Sequence, residues 1–206
     1  MRVPEISISR LSLYLRALKA ISEGENETIS SYELAKETGM SPDKVRKDLS
    51  YFGQFGRRGI GYSVNELTEN ITQILGLNKR WNVAICGVGN LGSALAAYKG
   101  FAKMGFKVAA VFDNDPKKIG KSWGKVKIFH PEQIPRVTKQ KRIEIAIITV
   151  PADATQSVID KFVRAGIKAI LNFAPAKLSL PPDVKLRNVD LSMELVSLAH
   201  FLSLTE

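Results

Sequence analysis

The sequence predicts an α/β protein in which a small helical module precedes a doubly wound parallel sheet and a separate helix follows it. The sequence pattern changes near residue 78. Before that point, short amphipathic helices surround one glycine-rich segment. After Arg80, apolar strands alternate with helices, which is typical of a parallel sheet covered on both faces. We therefore expect modules at 1–78, 79–189 and 190–206.

Composition indicates a soluble, cytoplasmic protein. Of the 206 residues, 45% are hydrophobic and 24% charged, as in ordinary folded domains. No apolar run is long enough to cross a membrane, and the N-terminus lacks the apolar region of a signal peptide. Cys86 is the single cysteine, so neither an intrachain disulfide nor a metal cluster is expected. The net charge of +10 comes mostly from the second half and does not by itself indicate nucleic acid.

Helical periodicity organises the first module. Leucines at spacings of three and four predict an amphipathic helix over residues 8–22. A second helix is expected after Ser30 or Ser31, which supplies the N-cap, and it ends at Gly39. A third helix, capped by Ser41, is rich in Lys and Arg. Two short helices about four residues apart, the second of them basic, are typical of a DNA-binding helix-turn-helix.

The third helix carries the side chains that major-groove reading needs. One face is expected to hold Lys44, Lys47, Asp48 and Tyr51, with Arg46 and Ser50 paired beside it and Ser41 at its start. Long cations reach guanine acceptors, and hydroxyls reach phosphates. A small helical domain with solvated charges is the alternative.

The glycine-rich segment FGRRGIGYS predicts a tight hairpin with Arg57 and Arg58 at its tip. Such a wing places an arginine in a narrow, A/T-rich minor groove, where the negative potential is greatest. The first module is therefore predicted to be a winged helix-turn-helix that binds double-stranded DNA.

The segment CGVGNLG predicts a dinucleotide-binding turn of the Rossmann type. Gly87, Gly89 and Gly92 follow an apolar strand and open a helix, in the order that the turn requires. The first glycine permits the tight turn, the second lets a pyrophosphate approach the backbone, and the third lets helix and strand pack closely. Free N–H groups at the start of the helix then meet the phosphates. A glycine turn that binds nothing is the alternative.

An acid and two strand ends complete the predicted cleft. Asp113 ends the next strand about 20 residues after the turn, where a carboxylate binds the adenosine ribose and favours NAD over NADP. Lys117 and Lys118 lie close enough to leave that preference open. Carboxyl ends of later strands place six further residues at the crevice, which are Thr149, Val150, Pro151, Asn172, Phe173 and Ala174.

The sequence offers no evident catalytic group beside this cleft. His130 and His200 adjoin none of the cleft motifs, and Cys86 lies inside a strand, where a small buried hydrophobe is expected. We expect neither an enzyme nor a bound metal.

The last segment, DLSMELVSLAHFLSLTE, predicts a helix that is apolar on several faces, with Asp190 as its N-cap. Such a helix must be covered on several faces. A second subunit is the natural cover, and a homodimer also suits a helix-turn-helix that reads a two-fold, pseudopalindromic operator.

Together these segments closely resemble the Rex family of bacterial redox-sensing transcriptional repressors, over essentially the whole chain. The likeness rests on three stretches, which are SPDKVRKDLSYFGQFGRRGIGY, GVGNLGSAL with FDNDP downstream, and DLSMEL. It implies a homodimer whose terminal helix is exchanged between subunits and lies near the partner's cofactor. It also implies repression of genes of anaerobic and fermentative metabolism. NADH would release the protein from DNA, whereas NAD+ would compete weakly and leave the complex intact.

The resemblance also implies roles for individual residues. The pyrophosphate would lie on Gly87, Val88, Gly89, Asn90, Leu91 and Gly92. Arg10 and Arg16 would make phosphate or inter-domain contacts. Asp190 would make state-dependent polar contacts with groups such as Arg16 and Tyr98. We add the hypothesis that Leu191 closes over the nicotinamide, because burying the cationic oxidised ring costs more than burying the neutral reduced one.

Two alternatives come from other classes of protein. A small NAD-dependent dehydrogenase with an accessory helical domain predicts turnover of a substrate and no sequence-selective DNA binding. A CoA-binding ligase subunit predicts affinity for CoA, against which the acidic Asp113 argues.

Overall fold

The structure is a computed structural model that describes residues 3–21, 27–57 and 59–204. The chain divides into two compact units, Met1–Lys79 and Arg80–Glu206. The first is mostly helical, and the second is built on a parallel sheet. The predicted combination of a small helical module, a doubly wound sheet and a terminal helix is confirmed.

The elements of the first unit follow the capping signals in the sequence. In chain order they are α1 (Glu5–Ile21), β1 (Thr28–Ile29), α2 (Ser31–Thr38), α3 (Pro42–Ser50), β2 (Tyr62–Ser63) and α4 (Val64–Ile74). Ser30 and Glu33 form a capping box that starts α2, and Gly39 ends it at a φ of 65°. Ser41 caps α3, with a proline at its first position. These local signals fix the turn between the two helices.

The core of the first unit is built mainly from leucine, isoleucine and valine side chains of the four helices. Its fully buried members include Leu11, Leu15, Leu18, Leu34, Val45, Leu67 and Ile71. In α1, α3 and α4 the buried residues recur at spacings of three or four, as in an amphipathic helix, whereas α2 buries the adjacent pair Leu34 and Ala35.

The predicted hairpin is shorter than the sequence suggested. Arg57 and Gly61 pair across a tight turn, in which the Arg57 N–H donates to the Gly61 carbonyl oxygen at 2.9 Å. The strand that follows, β2, pairs instead with β1 in antiparallel register. Because β1 contributes only two residues, strand periodicity could not reveal it. Arg58, predicted at the wing tip, lies outside the described residues.

The second unit begins at β3 and alternates strands with helices. Its strands are β3 (Trp81–Cys86), β4 (Phe106–Phe112), β5 (Ser122–Trp123), β6 (Val126–Phe129), β7 (Ile145–Ile148), β8 (Ala169–Asn172) and β9 (Lys185–Asn188). Its helices are α5 (Asn90–Ala97), α6 (Lys99–Lys103), α7 (Ile134–Lys141), α8 (Ala152–Arg164) and α9 (Leu191–Ser203).

The sheet has the order β5-β6-β4-β3-β7-β8-β9. Only β5 runs antiparallel to its neighbour. The chain builds outward from β3 to one edge and then returns to build from β7 to the other. The carboxyl ends of β3 and β7 therefore diverge at a topological switch point, which is where sheets of this kind bind ligands.

Helices cover both faces of the sheet, as the alternation of strands and helices predicted. On one face, Phe112 and Ile148 pack against α7 and α8, where Phe162 is fully buried. On the other face, Ile85 packs against partly buried side chains of α5 and α6. The inner strands are apolar on both faces because helices take both sides of them out of water.

The helix that the glycine turn opens ends at Tyr98, which separates α5 from α6. The backbone of Tyr98 is extended, with φ −70° and ψ 106°. Its ring folds over Gly100, where a Cβ would come within 2.4 Å of ring atoms. The same ring meets Phe101 edge-on, with centroids 5.2 Å apart. The glycine therefore makes the break possible.

The terminal helix α9 begins after Asp190 as predicted, and the Asp190 carboxylate accepts a bond from the Ser192 N–H at 3.0 Å. The large apolar side chains of α9 and its C-cap are all between 60% and 72% exposed, and they are Leu191, Met193, Leu195, Val196, Leu198, Phe201, Leu202 and, at the C-cap, Leu204. This chain alone therefore leaves the helix uncovered. No helix in the described part of the chain is long and apolar enough to cross a bilayer.

Candidate functional site

The glycine turn between β3 and α5 has the geometry of a phosphate cradle. Gly87 has a φ of 99°, which favours glycine, and a Cβ there would lie 2.7 Å from the Thr149 carbonyl oxygen. A Cβ at Gly92 would lie only 1.9 Å from the Gly87 carbonyl oxygen. These two glycines bring α5 close against the ends of β3 and β7. They fulfil the packing roles that the motif predicted.

Gly89 differs from its two neighbours in the motif. Its backbone is extended, and no heavy atom of the described residues lies within 4 Å of a Cβ built there. It precedes the first residue of α5, and within the described chain no side chain caps that helix. The open space beside Gly89 and the uncapped N–H groups fit an anionic pyrophosphate.

Thr149 joins the two strands at the switch point. Its Oγ1 donates to the carbonyl oxygens of Cys86, at 3.0 Å, and Gly87, at 2.8 Å. The hydroxyl therefore holds the end of β3 against the end of β7. A cleft of about 470 Å³ opens beside this contact, and its lining includes Gly87, Val88, Gly89, Asp113, Thr149, Val150 and Pro151. The structure thus brings together seven of the residues that the sequence placed at the cofactor.

Asp113 lies at the end of β4 and is only 6% exposed. Its carboxylate accepts bonds from the N–H groups of Val88, at 2.7 Å, and Asp115, at 2.8 Å. Lys118 Nζ lies 3.1 Å from the same carboxylate and also donates to the Val88 carbonyl oxygen. Burial alone would raise the pKa of Asp113, but the bonds from Asp115, Val88 and Lys118 outweigh it and hold that pKa below its usual range. The acid is therefore ionised and is tied to the glycine turn.

Lys118 is a cleft residue whose role the sequence did not define. It lines the cleft and neutralises Asp113. The side chains of Pro131, Ala154 and Val158 also line the cleft, and sequence patterns did not mark them. In the sequence, Lys118 lies shortly after Asp113, and this position left the preference for NAD over NADP open. It did not indicate that the two side chains form an ion pair.

Asn172, Phe173 and Ala174 lie outside the cleft lining of the described chain, and contact between these residues and a cofactor stays a prediction. Asn172 is fully buried. Its amide donates to the Ala174 carbonyl oxygen, at 2.8 Å, and to Asn188, and its Oδ1 accepts from the Ala174 N–H. Phe173 packs on the other face of the sheet. The polar side chain at this strand end closes a turn, and sequence alone does not separate that role from ligand contact.

The remaining predicted cofactor residues lie outside the cleft lining. Asn90 and Leu91 occupy the first turn of α5, and Gly92 acts through its packing against Gly87. Leu191 is exposed on α9. Contact between Leu191 and a nicotinamide therefore stays a prediction that depends on a second subunit.

The exposed surface of α3 forms the candidate DNA-reading face. It presents Asp43, Lys44, Arg46, Lys47 and Ser50, with Tyr51 partly buried at the helix end. Asp48, which was expected on the same face, is 1% exposed and points into the unit. Helical spacing placed it beside Lys44, but donors on α1 draw it inward. This part of the expected face is wrong.

One expected pairing on this surface also differs. Arg46 was expected beside Ser50, but it donates to Ser31, at 2.8 Å, and to Asp43. Ser50 instead donates to the Lys47 carbonyl oxygen at 2.7 Å. Arg46 therefore bridges α2 and α3, and it lines a groove that reaches the wing residue Arg57.

The other predicted contact residues are distributed over both units. Ser41 is exposed and caps α3, whereas Arg10 is bonded to Asp48. Arg16 is exposed on α1 in the first unit, while Tyr98 and Asp190 are exposed in the second. The state-dependent contacts among these last three stay a prediction.

Comparison with known family models follows the same division. A model described as "CoA binding domain" matches residues 78–176. A second model, described as "Putative DNA-binding protein N-terminus", matches residues 2–50. The redox-sensing transcriptional repressor Rex of Desulforamulus reducens is 47% identical over 206 residues, which are 100% of this chain and 98% of that protein.

Solved structures of RSP, a Rex-family repressor, resemble the chain along nearly its whole length. The crystal structure of RSP with β-NAD+ and operator DNA is 40% identical, with a TM-score of 0.92 over 98% of this chain and 93% of that one. RSP with β-NADH is 39% identical, with a TM-score of 0.86 over 98% and 95% of the two chains.

The two motif glycines Gly89 and Gly92 predict different consequences of an added methyl group. Gly89→Ala should leave the melting temperature unchanged, because the described chain leaves space for the methyl, but should weaken NADH binding at least tenfold because that space is the cradle. Gly92→Ala should itself destabilise the protein by about 1–3 kcal/mol through overpacking against Gly87. Thermal melts measure the stability of each variant, and fluorescence titrations measure its affinity for NADH. Unchanged NADH affinity in Gly89→Ala would contradict the assignment.

Proposed function

The chain belongs to the Rex family of redox-sensing transcriptional repressors, and we propose that its first unit binds operator DNA while its second binds NAD(H). NADH binding releases the repressor, whereas NAD+ competes weakly and is compatible with DNA binding. One observation carries the proposal: a dinucleotide cradle at the switch point of the second unit accompanies an exposed cationic recognition helix in the first. The cofactor thus serves as a signal.

The cleft is suited to binding and poorly suited to hydride transfer. Its one cysteine, Cys86, is fully buried, and burial raises the pKa of its thiol to about 12. Asp113 is held ionised by three donors, so it is a poor proton donor. Family membership makes the chain a transcriptional repressor, and these features accord with that function.

We further propose that the active form is a homodimer in which α9 is covered by the second subunit. The support is the exposure of its apolar side chains on every side, a surface that a soluble monomer does not leave in water. Exchange of α9 would bring Leu191 near the partner's nicotinamide, where an apolar cover disfavours the cationic oxidised ring.

A two-fold dimer matches a two-fold DNA site. We propose that the operators are pseudopalindromic with an A/T-rich centre, into which the wing arginines Arg57 and Arg58 reach. We also propose, from the family resemblance, that they control genes of anaerobic and fermentative metabolism in the cytoplasm.

Operator binding in the presence of each cofactor tests the function. Fluorescence anisotropy of a labelled pseudopalindromic duplex is expected to fall when NADH is added and to persist at equal concentrations of NAD+. Sequence-selective binding that neither cofactor alters would refute redox sensing. A protein with no selective binding and with substrate turnover would be a dehydrogenase.

The dimer proposal predicts a change in mass when α9 loses its apolar character. Wild-type protein should sediment as two chains, and Leu198→Glu combined with Phe201→Glu should sediment as one, because both side chains are exposed on α9 and charge would oppose their burial. Sedimentation equilibrium measures both masses. A wild-type monomer, or a variant that stays dimeric, would contradict the proposal.

The Lys118–Asp113 pair predicts how the site separates NADH from NADPH. Lys118→Met should leave the Asp113 charge uncompensated, so that it repels a 2′-phosphate more strongly. The NADH/NADPH preference should then rise about tenfold, as expected of one charge a few ångströms away near a protein surface. Lys117→Met is the matched control, because Lys117 is exposed and outside the cleft lining. Equal ratios in both variants and wild type, from competition titrations, would show that Lys118 does not act this way.

A further inference from the structure

A buried polar cluster joins the recognition helix α3 to α1. Asp48 of α3 is 1% exposed. Its Oδ1 accepts from Ser7 Oγ at 2.7 Å and from Arg10 Nη2 at 2.6 Å. Its Oδ2 accepts from Arg10 Nε at 2.5 Å and from Tyr14 OH at 2.8 Å. Each carboxylate oxygen thus has two donors, which fills its ordinary hydrogen-bonding capacity.

The three donors lie on one face of α1, since residues 7, 10 and 14 are spaced by three and four. The guanidinium of Arg10 binds the carboxylate through two parallel N–H groups, which fixes direction as well as distance. Although burial opposes it, the bonds from Arg10, Ser7 and Tyr14 lower the pKa of Asp48. The cluster is therefore charged and saturated, and α3 cannot turn about its axis without losing bonds.

Asp48 directly follows Lys47 and lies one turn after Lys44, both of which are exposed. When α3 is rotated about its axis so that Asp48 meets its donors on α1, Lys47 points outward. We infer that Asp48 and Arg10 form a positioning pair that sets the orientation of the recognition helix, and that Arg10 acts on the carboxylate rather than on DNA. The inference rests on the proposed operator binding.

The ion pair with Asp48 stands in place of the phosphate contact that was one of the two roles expected of Arg10. The Arg10 side chain is 21% exposed and its charge is matched by Asp48. A phosphate-binding arginine adds about 0.9 to the slope of log affinity against log salt concentration, and it acts on every DNA sequence. A positioning residue affects the operator selectively, because base contacts need the correct orientation and non-specific phosphate contacts tolerate error.

The test measures operator and scrambled duplexes of equal length by fluorescence anisotropy, between 50 and about 200 mM salt. Arg10→Met, Asp48→Asn and the double variant should each lose at least tenfold in operator affinity. Binding to the scrambled duplex and the salt slope should stay unchanged. The double variant should be no weaker than the worse single variant, because both substitutions break the same pair. Lys139→Met, an exposed lysine of α7, is the control and should match wild type.

Arg10→Lys separates geometry from charge, because lysine keeps the charge and cannot form the bidentate pair. It should behave like Arg10→Met. Wild-type operator affinity in Arg10→Lys, or a reduced salt slope with equal losses on both duplexes in Arg10→Met, would overturn the inference in favour of a phosphate contact. Equal losses with an unchanged slope would indicate a smaller folded fraction, and Tyr14→Phe then decides the question.

Tyr14→Phe covers the case in which the charge variants do not fold. It removes one of the four bonds and keeps the ion pair, and it should lower operator affinity about threefold at constant scrambled-duplex affinity. Unchanged operator affinity in folded Tyr14→Phe would contradict the inference. A wild-type protein without any operator selectivity would instead reject the proposed function.

Discussion

The contact between the start of α5 and the ends of β3 and β7 is the constraint on which the nucleotide site depends. A methyl group at Gly92 would lie 1.9 Å from the Gly87 carbonyl oxygen, and Thr149 spans the same point with one hydroxyl. Because these groups meet so closely, Gly89 is left facing empty space. The phosphate cradle thus forms because Gly87 and Gly92 pack closely against neighbouring backbone, whereas Gly89 between them does not.

A buried aspartate organises the functional surface in both units. Asp113 holds the glycine turn through the Val88 N–H and is balanced by Lys118. Asp48 holds the recognition helix through Arg10 and is balanced by it. In each case a buried carboxylate with several donors fixes backbone or helix geometry, Asp113 with three and Asp48 with four. Both acids are held in place by their donors, and Asp48, whose oxygens are fully used, acts by placing other groups.

Sequence signals within a few residues of each other predicted the helix boundaries and the glycine turn. Caps at Ser30, Ser41 and Asp190 and the left-handed Gly39 gave helix boundaries within a few residues, and the glycine spacing gave the cradle. The errors involve partners distant in sequence. Asp48 meets Arg10, 38 residues away, and helical spacing along α3 contains no information about α1. The sequence also did not indicate that the Asn172 amide donates to Asn188, 16 residues away.

The central claim is that the dinucleotide serves as a signal that controls DNA binding. The NADH site and the operator-binding site must therefore be thermodynamically coupled. Linkage requires operator DNA to weaken NADH binding by the same factor by which NADH weakens operator binding. The most direct measurement is therefore an NADH fluorescence titration with and without saturating operator duplex, with a scrambled duplex as control. We predict weaker NADH binding only with the operator, by the factor found in the reverse titration. Equal NADH affinity in all three conditions would contradict the account.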